Sequence, residues 1–393
     1  MKSSLRILCL DIEGGYGGSS RSLFETISHI DPNEVTFEVW CKRAGPAQKR
    51  YEEIGVNVRI TPSMPKVSSL PRLSRNLFVY GLFCVDWMKS LRFRRELIHA
   101  AANVDIIHLN HESLFLLARW LKPRVNAVLT MHIRTNLYGT AFCRWQTRCI
   151  TKALDHLIFI TENEQKSISK FSGKQVSGTV IFNSVKPIDA ARHEKIPLDN
   201  RFKIACLSNY AWVRGIDRTI DIAKAIHQKN RADILFVIAG NMKLTRSLPG
   251  ELGKIASSGG TLQDYADQNG VSDLFLFLGH ISEPERVLSS CDALIKPTRE
   301  DNPWGRDILE GLAAAKPVIS VGTYNTFVED KVTGILQRNF NAETLAERIC
   351  ELADDRSIAI QLGNAGRQRI VKICNGAKLA QAITKVWQDV VAR

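Results

Sequence analysis

The run Lys296–Ser320, KPTREDNPWGRDILEGLAAAKPVIS, follows the apolar stretch Ala293–Ile295 and closes on a second one, Pro317–Val321. Between them come a polar loop bearing Gly and Pro, a helical pattern starting near Gly305 and Arg306, and Lys316-Pro317 as its stop. The order is strand, loop, helix, strand. In such a unit the free N–H groups at the helix start face the crevice at the strand ends. Arg306 and Glu310 stand four apart and so share one helical face. A cation and a carboxylate at that mouth suit an anionic ligand rich in hydroxyls, such as a nucleotide sugar.

Outward from this run the same alternation recurs. The chain opens with the apolar Leu5–Leu10, then Asp11-Ile-Glu-Gly-Gly-Tyr-Gly-Gly-Ser-Ser20, then a helical pattern through Leu23, Ile27 and Ile30. Further strand-like runs stand at Thr36–Trp40, Val56–Ile60, Val104–Leu109, Ala127–Met131, His156–Ile160 and Gly178–Ile181. A second series occupies Lys203–Leu207, Ile234–Ala239, Leu274–Leu278, Ala293–Ile295 and Pro317–Val321. The fold class is therefore α/β, with two Rossmann-like doubly wound domains. The expected boundaries are 1–190 and 198–375, with the polar, Pro-bearing segment from Asn183 as linker. A final helix, 376–393, has one apolar face of Leu379, Ile383, Val386, Trp387 and Val390 to bury.

The 393 residues suffice for two cores. Of the net charge of +13, most lies in residues 1–190, with 26 Lys and Arg against 16 Asp and Glu. A basic surface attracts phosphates. Aromatic and basic residues are not interleaved as in nucleic-acid modules, so no nucleic-acid partner is expected. An anionic membrane surface or an acidic acceptor is the better candidate. In residues 66–96, Lys66, Arg72, Arg75, Lys89, Arg92, Arg94 and Arg95 flank the apolar run Leu77–Met88, which is too short to span a bilayer. That segment reads either as a surface-lying amphipathic helix or as a core helix with solvated ends. Nine scattered cysteines without a paired spacing read as reduced core residues of a cytoplasmic protein, soluble or peripheral on the inner membrane face. His108 and His111 lack a third ligand for a zinc site.

The residues of 296–320 resemble the nucleotide-sugar signature of the retaining glycosyltransferases of family 4, which have the GT-B fold, two Rossmann-like domains facing across a cleft. That family carries two Glu separated by seven residues, the second followed by small residues and a Gly-x-Pro-Val-like strand. Glu310 matches the second, which implies contact with the ribose hydroxyls of the donor. Eight positions earlier stands Asn302, with Glu300 and Asp301 ahead of it, so either Glu300 or Asn302 takes the first Glu's place. Ser208-Asn-Tyr-Ala-Trp-Val-Arg214-Gly215 occupies the place of the family's Gly-Arg-Leu, three residues, Lys-Gly. Arg214 stands at the Lys and Asn209 near the Arg, groups that neutralise the donor diphosphate.

The resemblance also assigns Gly17-Gly18 to the donor phosphates and His132 to the donor sugar. Gly279-His280-Ile281 would meet the nucleobase. Its implied catalytic set is His132, Glu300, Asn302 and Arg214. The donor set adds Gly17, Gly18, Asn209, Gly215, His280, Ile281, Gly305, Arg306, Ile308, Leu309 and Glu310. Arg134, Asn110 and His111 are candidates for the acceptor. No Asp-x-Asp occurs, so no metal and no cofactor beyond the nucleotide-sugar co-substrate is expected. The expected function is transfer of a sugar from a nucleoside-diphosphate sugar to a glycan or lipid-linked glycan. A sugar-phosphate synthase of the same fold is an alternative. Asn209, Asn302 and Thr326, which depart from the family pattern, also allow a non-catalytic nucleotide-sugar-binding protein.

Overall fold

The computed structural model describes residues 4–15, 17–67, 77–137, 140–173 and 176–393, the side chains of 77–80 and 82 aside. Arg72 and Arg75 of the basic segment lie outside the described residues. The chain divides into two compact units, Met1–Ser184 with Cys374–Arg393, and Val185–Ile373.

The first unit holds β1 (Leu5–Asp11), β2 (Val35–Cys41), β3 (Asn57–Ile60), β4 (Ile106–Leu109), β5 (Val128–Ile133), β6 (His156–Phe159) and β7 (Thr179–Val180). They form one parallel sheet in the order β3-β2-β1-β4-β5-β6-β7. The second holds β8 (Phe202–Leu207), β9 (Ile234–Ala239), β10 (Phe275–Gly279), β11 (Ala293–Lys296), β12 (Val318–Val321) and β13 (Gly334–Gln337). Their parallel order is β10-β9-β8-β11-β12-β13. Strands covered on both faces by helices bury both sets of side chains, which is why they read as unbroken apolar runs. In β9 every residue is buried.

In each sheet the chain winds one way, then returns past its first strand. The strand order reverses between β1 and β4 in the first unit and between β8 and β11 in the second. A crevice opens at the carboxyl ends of the strands at such a point.

Asn375 caps the last helix, Gly376–Val391, by accepting from Lys378 N at 3.0 Å. The helix packs on the first unit through Ile383 and Trp387, both fully buried. The Trp387 ring meets Phe37 edge-on at 5.8 Å and His108 at 5.5 Å. Cutting such a ring to Ala costs about 3–5 kcal/mol.

The segment read as a linker is stitched to the second unit. Ile188 N donates to Ala313 O at 3.1 Å, and His193 N to Ser290 Oγ at 2.8 Å. Its polar composition suits hydrogen bonding to a packed surface as well as it suits water. All nine cysteines are free, and Cys84 alone among them is exposed.

Candidate functional site

In the second unit the loop after β8 and the loop after β11 meet at the switch point. The three-residue turn Trp212–Arg214 ends at Gly215, whose φ of +66° is left-handed and whose absent side chain would collide with the Pro297 carbonyl. Only glycine suits that site. Val213 O accepts from Arg299 N at 2.9 Å and from Thr298 Oγ1 at 3.0 Å, which fixes the turn against the second loop. Arg214 is exposed, and its Nη1 donates to Asn209 O at 2.9 Å. Asn209 therefore steadies Arg214 with its backbone, while its side-chain oxygen accepts from Asn241 N at 2.8 Å.

After β11 the helix Arg306–Ala313 starts with Gly305 as its cap residue. Ile308 and Leu309 are buried and anchor it, and Glu310 is 6% exposed. Arg306 Nε donates to Glu310 Oε1 at 2.9 Å, so the cation and the carboxylate form one pair on one helical face. Glu300 and Asn302 are both half-buried in the loop ahead of the helix. Asp301 between them is bound to the backbone and hydroxyl of Thr323.

Lys296, at the end of β11, carries no motif that marks it in the sequence. Its Nζ lies 2.9 Å from Asp307 Oδ1 and donates to Trp304 O at 2.9 Å, which ties the loop end to the first helical turn. At the end of the outer strand β10, His280 and Ile281 line a polar cavity of about 180 Å³ with His193, Lys195 and Arg286.

In the first unit the groups at the switch point are buried and bonded to one another. The Gly-rich loop after β1 turns through Gly14 at φ +63° and Gly15 at +103°. Asp11 is 1% exposed, and its carboxylate accepts from Gly14 N at 2.9 Å, Asn110 Nδ2 at 3.2 Å and the Ser20 hydroxyl. Gly17 caps the helix Gly18–Ile27, with the Glu13 carboxylate lying against its Cα. Asn110 is fully buried, and its oxygen accepts from Arg134 Nη2. Arg134 Nε donates to Asn110 O at 2.8 Å and Nη1 to Asn183 Oδ1 at 3.1 Å. Asn110 and Arg134 thus brace the loop from below, which sets them back from the surface where an acceptor contact was expected. His111 is half-buried and accepts from Ser113 N at 3.1 Å.

His132, on β5, is 4% exposed. Its Nδ1 is 2.8 Å from His108 Nε2, and His108 Nδ1 is 2.9 Å from Thr130 Oγ1. Burial, aided by the charge of Arg134, pushes the His108 pKa down to about 3 and that of His132 well below the ordinary value. The pair is neutral at physiological pH, which suits His132 to hydrogen bonding rather than to proton donation. His108 and His111 are three apart in sequence, whereas the register of β4 against β5 sets His108 opposite Thr130, from which His132 is two residues along β5 and within hydrogen-bond distance.

Of the basic segment, Arg94 turns inward, its guanidinium 4.3 Å from the Trp87 ring and 4.9 Å from that of Trp120. Val85, Met88 and Leu91 are exposed, as are Lys89, Arg92 and Arg95. Among the described residues no helix is long and apolar enough to cross a membrane. Nor is any cluster of three or more His, Cys, Asp or Glu among them placed to hold a metal ion.

Two family models match in succession, Glycosyltransferase Family 4 over residues 16–187 and Glycosyl transferases group 1 over 188–369. The chain belongs to these glycosyltransferases. Its fold is GT-B: HepE of Anabaena, solved in complex with UDP and glucose, superposes with a TM-score of 0.78 at 17% identity, covering 98% of this chain and all of that one. An uncharacterized glycosyltransferase of Methanocaldococcus jannaschii is 27% identical over 180 residues, 45% of each chain. The poly(ribitol-phosphate) α-N-acetylglucosaminyltransferase of Staphylococcus aureus is 24% identical over 226 residues, 56% of this glycosyltransferase and 41% of that protein. These matches thus span less than half the length of the curated relatives.

Proposed function

We propose that this glycosyltransferase moves a sugar from a nucleoside-diphosphate sugar to a glycan or lipid-linked glycan, with retention and without a metal. The observation that carries the reading is the buried Glu310 paired with Arg306 on the helix at the β8/β11 switch point, with the exposed Arg214 on the neighbouring loop. Glu310 would accept from the ribose hydroxyls, as a carboxylate does in bidentate fashion. The departing diphosphate gains negative charge in the transition state. Arg214 and the positive end of the helix Arg306–Ala313 would stabilise that charge. No Asp-x-Asp is present, so the protein's own cations are asked to do this work. Gly279, His280 and Ile281 would read the base, and either Glu300 or Asn302 the transferred sugar. HepE, of similar fold, was solved with UDP, which supports a nucleoside-diphosphate site.

In the first unit, Gly17 and Gly18 would approach the donor, and neutral His132 would hydrogen-bond its sugar. No protein nucleophile is assigned. The exposed Val85, Met88 and Leu91 beside Lys89, Arg92 and Arg95 support a peripheral place on an anionic membrane, with apolar side chains inserted and cations on headgroups. Co-sedimentation with phosphatidylglycerol vesicles should drop when Arg92 and Arg95 are changed to Gln. An unchanged pellet fraction would remove the membrane from the account.

The test of the reaction is incubation with UDP-, GDP- and ADP-sugars, following release of the nucleoside diphosphate and the anomeric configuration of the product. Turnover above a Glu310→Ala control, unaffected by EDTA and giving the donor's own anomer, is expected. Loss with EDTA and recovery with magnesium or manganese would overturn metal independence, and an inverted product would overturn retention.

A further inference from the structure

The turn that carries Arg214 also holds an aromatic ring outward. Trp212 is 39% exposed, although an indole is among the most favourable side chains to bury. One face of its ring is covered by the Arg299 guanidinium, whose central carbon is 3.4 Å from the ring centroid. Arg299 is itself fixed. Its Nη1 donates to Asp217 Oδ1 and to Trp212 O, each at 2.8 Å, and its Nη2 donates to Asp217 Oδ2. The Asp217 side chain is 5% exposed and also accepts from Tyr210 OH at 3.3 Å. Carboxylate, guanidinium and indole therefore form a stack whose two lower members cannot rotate without breaking an ion pair. Asp217 balances the guanidinium charge, so the ring keeps its electron-rich character.

We propose that the open surface of Trp212 is a stacking platform for a carbohydrate ring. A clamp holding the Arg214 turn needs the Trp212 carbonyl and the Val213 carbonyl, both of which Arg299 reaches; it does not need an exposed indole. A rigid aromatic surface loses little entropy when a ligand covers it. The apolar C–H face of a pyranose is a fitting partner for such a ring. A nucleobase stacks as well, but the donor-site reading puts the base at the end of β10, and β9 separates β10 from β8. Two strand spacings put those ends about 10 Å apart. Trp212 is two residues from Arg214, at the diphosphate end of the ligand, where the sugar begins. The choice of sugar over base rests on the donor-site reading above; the fixed, exposed ring does not.

The test is saturation-transfer NMR with the methyl glycosides of glucose, galactose, mannose and N-acetylglucosamine, run with UDP, GDP or ADP present and with no nucleotide. Wild-type protein should transfer saturation to the ring C–H protons of at least one glycoside. The signal should fall about fivefold or more in Trp212→Ala and Trp212→Leu and persist in Trp212→Phe, as expected for an aromatic contact. Trp212→Leu keeps an apolar side chain on the turn, so a folding defect of the Ala variant would not decide the outcome. Nucleotide affinity should stay within about twofold of wild type in all three. No glycoside signal from wild-type protein, or a signal indifferent to Trp212→Leu, would overturn the platform. An equal loss of nucleotide affinity would assign the ring to the nucleotide instead. Failure of every nucleotide to bind wild-type protein would sink the donor reading separately, with the nucleotide-free arm still deciding whether a sugar sits on Trp212.

Discussion

Arg134 and Arg214 stand beside the switch points of the two sheets, yet one is buried and the other exposed. Arg134 spends its donors on Asn110 and Asn183, and Asn110 passes the connection to Asp11 and the Gly-rich loop. Arg214 makes one backbone hydrogen bond from Nη1 and otherwise presents its guanidinium to water. The same residue type thus braces a loop in the first unit and is available to a ligand in the second. The contrast teaches that charge at a strand end is informative only once its partners are known.

The largest effect should come from the braced side. Arg134→Ala leaves the buried oxygens of Asn110 without their donor and should lower stability by about 3 kcal/mol. Urea denaturation followed by circular dichroism would show it; a midpoint unmoved from wild type would break the contrast.

Arg214→Ala should do the reverse. Its stability should stay within about 0.5 kcal/mol of wild type, as for exposed sites. Affinity for the preferred nucleoside diphosphate should fall about tenfold, the loss of one charge-assisted contact. Calorimetric titration measures the second quantity, and an unaltered dissociation constant would return Arg214 to the class of solvated surface cations.

A smaller, pH-dependent effect should mark the buried imidazoles. In the unfolded chain they take up protons below the ordinary value of 6.5, whereas folded His108 resists to about 3. Their neutral burial therefore contributes stability that is fully present above pH 6.5 and is lost as pH falls below it. Glu164, buried with its pKa raised to about 7, pulls in the opposite direction between 4.5 and 7, because the folded state holds its proton there. That pull is common to wild type and His108→Gln. The difference between their stabilities should consequently narrow between pH 7 and 5; a constant difference would show that His108 does not titrate on unfolding.

The smallest effect is expected at Glu13, whose carboxylate lies against Gly17. If donor phosphates approach that cap, removing a like charge with Glu13→Gln should strengthen nucleotide-sugar binding by about twofold, a screened surface interaction. Weaker binding of the Gln variant would argue that Glu13 itself touches the ligand.

Much of the fold was legible because buried parallel strands leave unbroken apolar runs. β1, β9 and the helix opening at Arg306 lie where the pattern puts them. β13 escaped notice because only Ile335 and Leu336 of its four residues are apolar and it begins with a glycine. The segment after Ser184 escaped because polar residues that bond to Ser289 and Ser290 look the same in sequence as residues that bond to water. At the candidate site, the Arg306–Glu310 pair was readable from helical spacing alone. The Asp11–Asn110 contact joins residues 99 positions apart, and Arg299 meets Asp217 across 82 positions. Such long-range pairs leave no local periodicity, so neither the brace under the first loop nor the stack beneath Trp212 could be foreseen.

The central claim, that the β8/β11 switch point binds a nucleoside diphosphate through Glu310 and Arg214, is tested most directly by thermal shift. Wild-type protein, Glu310→Ala, Arg214→Ala and His108→Gln would each be melted with UDP, GDP and ADP. The account predicts that one nucleotide raises the wild-type melting temperature, that the rise vanishes in Glu310→Ala and shrinks in Arg214→Ala, and that it survives in His108→Gln. No rise with any nucleotide, or a rise that persists in both site variants, would contradict it.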